Sequence, residues 1–395
     1  MTGGPTSTAP PGWRVPILLY GSVLAVLLLV SWQTTSRVVE NPLGLPGFRF
    51  AGDGFWGGWV RFDGGWYVGI ADSGYQHVEG RQSSVAFFPG YPLLVRFVGR
   101  AIDNVALGGI LVTIGCGFAA VCCYWRWCAA RLPRAQAVGA LAALALYPYA
   151  WYLYGAVYGD ALFLLAAVGA FLLVERDQAL LAGVVGAVAT ATRLVGIALV
   201  LGLVVAVLER RGAFSGTRWR LLPRRVDLRR LRRADAGVLV APLGLVAWTA
   251  WLWHRFGDPL LFSSVQEYWG QPSTPRTWFK IDLLAALHGS PDRLYAYGCL
   301  VQALLALGAV LLVPAVTRRF GFRYGAYQAA LVLIPVFGSQ DFQGTGRYLI
   351  GAFPAFAVVG AHLAEHPERG RIAAPVSAAL LVLGTAWFAH GLYLS

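Results

Sequence analysis

The sequence is dominated by long apolar runs, some nearly free of charge over a membrane's width, such as 16–33 and 106–126. A helix needs about 20 such residues to cross the hydrocarbon core. Eleven candidate spans meet or approach that need, near 16–33, 106–126, 136–153, 158–174, 179–192, 195–208, 236–254, 296–316, 325–338, 348–364 and 373–392. Within lipid every backbone polar group must be satisfied internally, so runs of this length read as helices. The chain is therefore expected to be an all-α polytopic membrane protein. Composition agrees: 57% of the residues are hydrophobic and 13% charged, where a soluble chain carries roughly 25% charged residues.

The first run follows a Gly/Pro/Thr-rich start and Arg14, and no small-residue cleavage site follows it. It reads as a retained helix and not as a removed signal peptide. The fifth and sixth runs are short and meet at Thr192-Arg193, so they form either two crossings or one broken hairpin. The five cysteines, four of them between Cys116 and Cys128, lack the paired spacings of a zinc site.

Orientation follows from the bases. The formal net charge is +13, and 31 of the 32 bases are arginine, the exception being Lys280. With the N-terminus inside, the 209–235 loop and its ten arginines are cytoplasmic. Inner connections then hold 20 bases and seven acids, and outer ones 12 of each. The whole excess lies on one side, as the positive-inside rule requires. It is an orientation signal, not a nucleic-acid footprint, although the arginine loop could also meet anionic membrane lipids. The expected location is the plasma membrane, multi-pass, with the C-terminus extracytoplasmic.

Two long outer loops, 33–105 and 254–295, are rich in Trp, Phe, Tyr, Gly and Pro, which argues for order. The stretch Ser84 to Ala101 suits an amphipathic helix at the membrane interface. The chain, 1–395, reads as a single membrane domain.

The sequence contains no Walker motif, dinucleotide glycine fingerprint, H-E-x-x-H or G-x-S-x-G. His residues number six, with no pair at metal-ligand spacing expected, and no cofactor or metal is indicated. Chemistry is left to charges at the outer face. Asp63, in Arg61-Phe62-Asp63-Gly64-Gly65-Trp66-Tyr67, could serve as a general base beside aromatic walls that suit a sugar. It could equally cap a helix over Gly64 to Asp72. Asp160, after Tyr158, lies in a tight outer turn and could cap the fourth span. Arg193 is the sole charge between Asp177 and Glu209, so it needs a polar cavity, an anion or an acid partner. Arg347, in Gln343-Gly344-Thr345-Gly346-Arg347-Tyr348, opens the tenth span, where a cation opposes the helix macrodipole unless an anion or carboxylate meets it. A guanidinium can donate two parallel hydrogen bonds to phosphate.

These residues resemble a known family. Arg61 to Tyr75 (RFDGGWYVGIADSGY), followed by Ala86 to Arg96 (AFFPGYPLLVR), is similar to the first-loop signature of the PIG-V family, which comprises GPI mannosyltransferase 2 and its bacterial relatives. Tyr158 to Phe163 resembles that family's Tyr-Ser-Glu-like turn, and Ala189 to Arg193 and Arg347 to Pro354 resemble its later landmarks. Phe62 stands where the family usually has Trp, and Asp160 where it has Glu. The resemblance implies a GT-C fold and a polyprenyl-phosphate-mannose-type donor. It makes Asp63 the base and Asp160, Arg193 and Arg347 pocket residues. Arg61, Trp66, Tyr67, Tyr158, Gln343 and Tyr348 are further substrate-binding candidates. The expected activity is transfer of a mannosyl or similar residue to a lipid, glycan or protein acceptor hydroxyl outside the membrane. The alternative is a transporter or lipid flippase, which predicts broken helices in two matching halves.

Overall fold

The computed structural model describes residues 12–35, 55–218, 222–272, 274–289 and 293–392. The start of the chain, the 36–54 part of the first outer loop, Arg220 and positions 273 and 290–292 of the second loop lie outside the described residues.

Helices account for almost every described element. In chain order they are α1 (Arg14–Thr35), α2 (Asp63–Ser73), α3 (Gly90–Ala101), α4 (Val105–Ala129), α5 (Arg134–Ala145), α6 (Asp160–Val174), α7 (Ala179–Thr192), α8 (Gly196–Arg210) and α9 (Leu243–Phe256). The second outer loop contributes α10 (Leu261–Ser264), α11 (Pro275–Trp278) and α12 (Ile281–Gly289). The last third holds α13 (Arg293–Leu311), α14 (Val313–Phe320), α15 (Phe322–Gly338), α16 (Thr345–Tyr348), α17 (Phe353–Glu365) and α18 (Pro367–His390). Local chemistry sets several ends. The Asn104 side chain accepts from Leu107 N–H at 2.9 Å to start α4, and α9 stops at Gly257, whose φ of 80° suits a residue without Cβ.

A helix coincides with each of the eleven predicted spans, but length separates them. Among the described residues four helices are long and apolar enough to cross a membrane, Arg14–Thr35, Val105–Ala129, Tyr295–Phe320 and Pro367–His390. Two bent pairs raise this to six: Arg233–Val240 with Leu243–Phe256, bent by 46°, and Thr345–Gly351 with Phe353–Glu365, bent by 85°. Helices α6 and α7, of 15 and 14 residues, reach roughly 21–23 Å at 1.5 Å per residue, short of the ~30 Å hydrocarbon core. The count of eleven full crossings is therefore not established. The expectation of helix throughout is corrected in one place: β1 (Phe214–Arg218) and β2 (Leu222–Val226) pair antiparallel, Phe214 opposite Val226, inside the arginine loop.

Helix α6 is the buried axis. Ala161, Leu164, Ala167, Val168, Ala170 and Phe171 are fully enclosed, against α4, α7 and α8. Small residues let neighbours approach closely, as membrane interfaces favour. A Cβ on Gly139 of α5 would stand 2.4 Å from the Gly360 carbonyl oxygen of α17. Of the stretch expected to be an amphipathic helix, Gly90–Ala101 is helical as α3 and is two-sided: Tyr91, Val95 and Gly99 face inward, while Leu93 and Phe97 are exposed.

Each end of the bundle carries its own set of acid–arginine pairs. At one end Glu175 pairs with Arg131 and with Arg323 at 3.1 Å, and Arg323 reaches Glu209 at 3.4 Å. Nearby, Arg211 holds Asp235 at 2.6 Å. All of these residues were assigned to the inner face from sequence. Asp63, Asp160, Arg193 and Arg347 gather at the opposite end.

The α5–α17 approach yields a test. Gly360→Ala places a methyl 2.3 Å from the Gly139 carbonyl oxygen, an overpacking that should cost about 1–3 kcal/mol. Gly115→Ala, with no atom within 4 Å of the new methyl, should leave the melting temperature in detergent unchanged or raised. Equal melting of the two variants would contradict the packing described.

Candidate functional site

Three chain segments deliver the site. Trp59 O accepts from Val157 N–H at 3.0 Å, which joins the first outer loop to the turn before α6. Gly90 and Gly159 both abut Thr192, where a Cβ would come within 2.7 Å of its Oγ1 and 2.9 Å of its Cγ2 respectively. The tops of α3, α6 and α7 thus converge. The 85° bend between Thr345–Gly351 and Phe353–Glu365 brings the Arg347 segment across them. Irregular backbone among apolar helices is tolerated where protein encloses it.

Neither acid caps its helix. Asp63 is the first residue of α2 and Asp160 the first of α6, and no side-chain cap bond forms at either start. Both carboxylates instead meet an arginine. Asp63 Oδ2 accepts from Arg347 Nη1 at 3.0 Å, and Asp160 Oδ1 accepts from Arg193 Nη1. The Asp160 side chain is 4% exposed and that of Arg193 13%, whereas Asp63 is 20% exposed and so more open to a second partner.

Tyr348 links the two pairs. Its ring lies 4.5 Å from the Arg193 guanidinium carbon and 5.1 Å from that of Arg347. Arg347 is also flanked by Tyr158 at 5.0 Å and Tyr152 at 5.6 Å. Aromatic faces attract a cation without neutralising it, so they hold two like charges close together. Arg347 Nε is buried and has no hydrogen-bond partner among the described residues. Such a donor is costly to leave unmet and is suited to an incoming anion.

Tyr67 lies beside all four charges, and burial pushes its phenol well above the usual value although both arginines oppose the shift. It is a neutral group at physiological pH. One helical turn after Asp63, Trp66 stacks on Phe87 at 5.9 Å and meets Trp269 edge-on at 5.4 Å, forming an aromatic wall.

Of the residues singled out from sequence, Asp63, Tyr67, Tyr158, Asp160, Arg193, Arg347 and Tyr348 come together. Arg61 reaches away from that cluster, its Nε donating to the Ala389 carbonyl at 2.9 Å. Gln343 contributes its N–H to Asp341 Oδ1 at 3.0 Å, in a neighbouring polar group where Tyr295 also donates to Asp341. One participant escaped the sequence reading. Tyr152, a flank of Arg347, sits in the run YPYAWYLYGAVY, whose tyrosine density was the available signal. Lys280, the chain's one lysine, stands 4.9 Å from the Phe342 ring, beside the Asp341 group and not in the cluster around Arg347.

The expectation about histidine spacing needs correction. His362 and His366 lie four residues apart and, with Glu365, place possible ligand atoms within 4.8 Å of one another. This group is at the opposite end from Asp63, and Arg369 Nη1 already meets His362 Nε2 at 3.0 Å. It takes no part in the site above.

No protein-family model and no curated protein matches the chain. Solved structures are similar to it at low identity. ArnT from Cupriavidus metallidurans, bound to undecaprenyl phosphate, is 14% identical, with 97% of this chain and 77% of that one covered and a TM-score of 0.47. The Archaeoglobus fulgidus oligosaccharyltransferase tethered to an acceptor peptide is 13% identical, with 97% and 56% covered and a TM-score of 0.43. The same organism's AglB, with an inhibitory peptide and a dolichol-phosphate, is 12% identical, with 97% and 57% covered and a TM-score of 0.41. The chain thus spans little more than half the length of the oligosaccharyltransferases it aligns with. Likeness at this level fixes neither family nor activity.

The Arg193–Asp160 pair makes a prediction about stability. Asp160→Asn leaves a mostly buried guanidinium without its counter-charge, which should cost about 3–5 kcal/mol. Adding Arg193→Gln should restore a large part of the loss in thermal melts. Losses that simply add would contradict direct pairing.

Proposed function

We propose that the chain is a membrane glycosyltransferase, moving a mannosyl or similar residue from a polyprenyl-phosphate sugar to an acceptor hydroxyl on the extracytoplasmic face. The observation that carries this reading is the 3.0 Å contact between Asp63 and Arg347, with Arg193 across the Tyr348 ring. A carboxylate able to take a proton stands beside two guanidiniums able to receive a phosphate. The first-loop resemblance to the PIG-V family supports the mannosyl donor and a place among that family's bacterial members.

The chemistry follows from charge. As the donor enters, Arg347 exchanges the Asp63 carboxylate for the lipid phosphate, bringing its unpartnered Nε to bear. Asp63 then accepts the proton of the acceptor hydroxyl, whose oxygen attacks the anomeric carbon. The bond from that carbon to the phosphate oxygen breaks, and configuration at the carbon inverts. Negative charge grows on the departing phosphate, where Arg347 and Arg193 stabilise it most in the transition state. Trp66, Phe87 and Trp269 offer apolar faces to a sugar ring beside the base. Acceptors with a free hydroxyl, whether lipid, glycan or protein, satisfy this scheme.

A carrier is the rival reading, and the bends at 241–242 and 352 are the feature that favours it. Those breaks do not occupy matching places in two halves of the chain, as inverted repeats would require.

In membranes supplied with radiolabelled polyprenyl-phosphate mannose, Asp63→Asn should lower transfer by about 10²–10⁴-fold while the protein still folds. Near-wild-type turnover would remove Asp63 from the mechanism. Arg193→Ala should weaken donor use more than acceptor use, and equal weakening would leave Arg193 a structural role.

A further inference from the structure

The backbone that presents Asp63 is strained, and one hydroxyl bridges the strained turn. Gly64 N–H donates to Arg61 O at 2.9 Å, closing a four-residue turn from Arg61 to Gly64. Its second residue, Phe62, has φ 52° and ψ −121°. These are the angles of a type II′ turn, whose first central position ordinarily belongs to glycine. A bulky aromatic there is costly, and such strain persists only where surrounding contacts impose it.

Tyr158 supplies those contacts. Its hydroxyl accepts from Asp63 N–H at 3.1 Å and donates to Arg61 O at 3.2 Å, so it bonds the chain on both sides of Phe62. Its ring is buried and packs edge-on against Tyr152 at 4.7 Å and Tyr67 at 5.9 Å, which fixes the hydroxyl in place. Phe62 itself lies 5.8 Å from Phe388, and Arg61 is tied to Ala389. Without the Tyr158 bonds, Phe62 can relax to a negative φ, and that rotation would swing the Asp63 carboxylate from Arg347.

We infer that Tyr158 is a positioning residue, whose hydroxyl holds Phe62 in a left-handed turn and so aims Asp63 at the reacting hydroxyl. This rests on the reading of Asp63 as the base. Tyr158 touches the main chain through its hydroxyl and Arg347 through its ring, so its two contributions can be separated. Tyr158→Phe keeps the ring and removes the two bonds to Asp63 N–H and Arg61 O.

The test combines turnover with hydrogen exchange on the full-length protein in detergent. Tyr158→Phe should lower kcat on the order of 10–100-fold, the usual effect of a small misplacement of a reacting group, with donor KM changed by less than about threefold. Phe62→Gly in that background should recover most of kcat, because glycine adopts the turn without strain. In Tyr158→Phe the Asp63 amide should also exchange faster than in the wild type, a readout that needs no activity. Unchanged kcat, unchanged exchange, or a loss that Phe62→Gly does not repair would overturn the inference. A wild-type protein inactive with every polyprenyl-phosphate sugar, yet with the exchange change present, would overturn the transferase reading and leave the turn intact.

Discussion

Two acid–arginine pairs around one tyrosine ring are the constraint on which one end of the helix bundle depends. A guanidinium among apolar helices cannot be left without a partner, and a carboxylate there has the same need. Asp160 and Arg193 satisfy each other in near-complete burial, while Asp63 and Arg347 do so with the acid partly open. The buried pair ties the start of α6 to the residue after α7, and the more open one leaves Asp63 accessible to a second partner.

Part of the backbone irregularity falls in the segments that bring those pairs together. Phe62 and Phe342 adopt positive φ, the Thr345–Gly351 segment bends by 85° from Phe353–Glu365, and α7 ends one residue before Arg193. Regular helices would project these side chains along the bundle instead of across it. Local strain here is offset by hydrogen bonds from buried tyrosines, Tyr158 at the Asp63 turn and Tyr147, which donates to Gly346 O at 3.0 Å. The aromatic richness of these segments therefore serves backbone geometry.

The helical positions were legible in the sequence because lipid permits so few alternatives: every predicted span has its helix. The bounds of α6 and α7 were legible to within two residues, but not those of the expected span 136–153, whose helix α5 ends at Ala145 before the tyrosine-rich turn. The hairpin at Phe214–Val226 was hidden by arginines that mask alternation. Within the site, residue types announced the cluster, but the pairing did not. Asp63 and Arg347 are 284 residues apart, and spacing carries no information at that range. Each carboxylate, which local pattern left open as a helix cap, meets an arginine. The role of the Tyr158 hydroxyl could not be read at all, because its partners are backbone atoms.

The central claim is that Arg193 and Arg347 receive a lipid phosphate beside Asp63. An electron cryo-microscopy map of the protein with bound polyprenyl phosphate tests it most directly. The account predicts phosphate density between the two guanidiniums, with Arg347 drawn away from Asp63 Oδ2 and the lipid chain leaving toward the bilayer. Phosphate density at the arginine loop of the opposite end, with the Asp63–Arg347 contact intact, would contradict it.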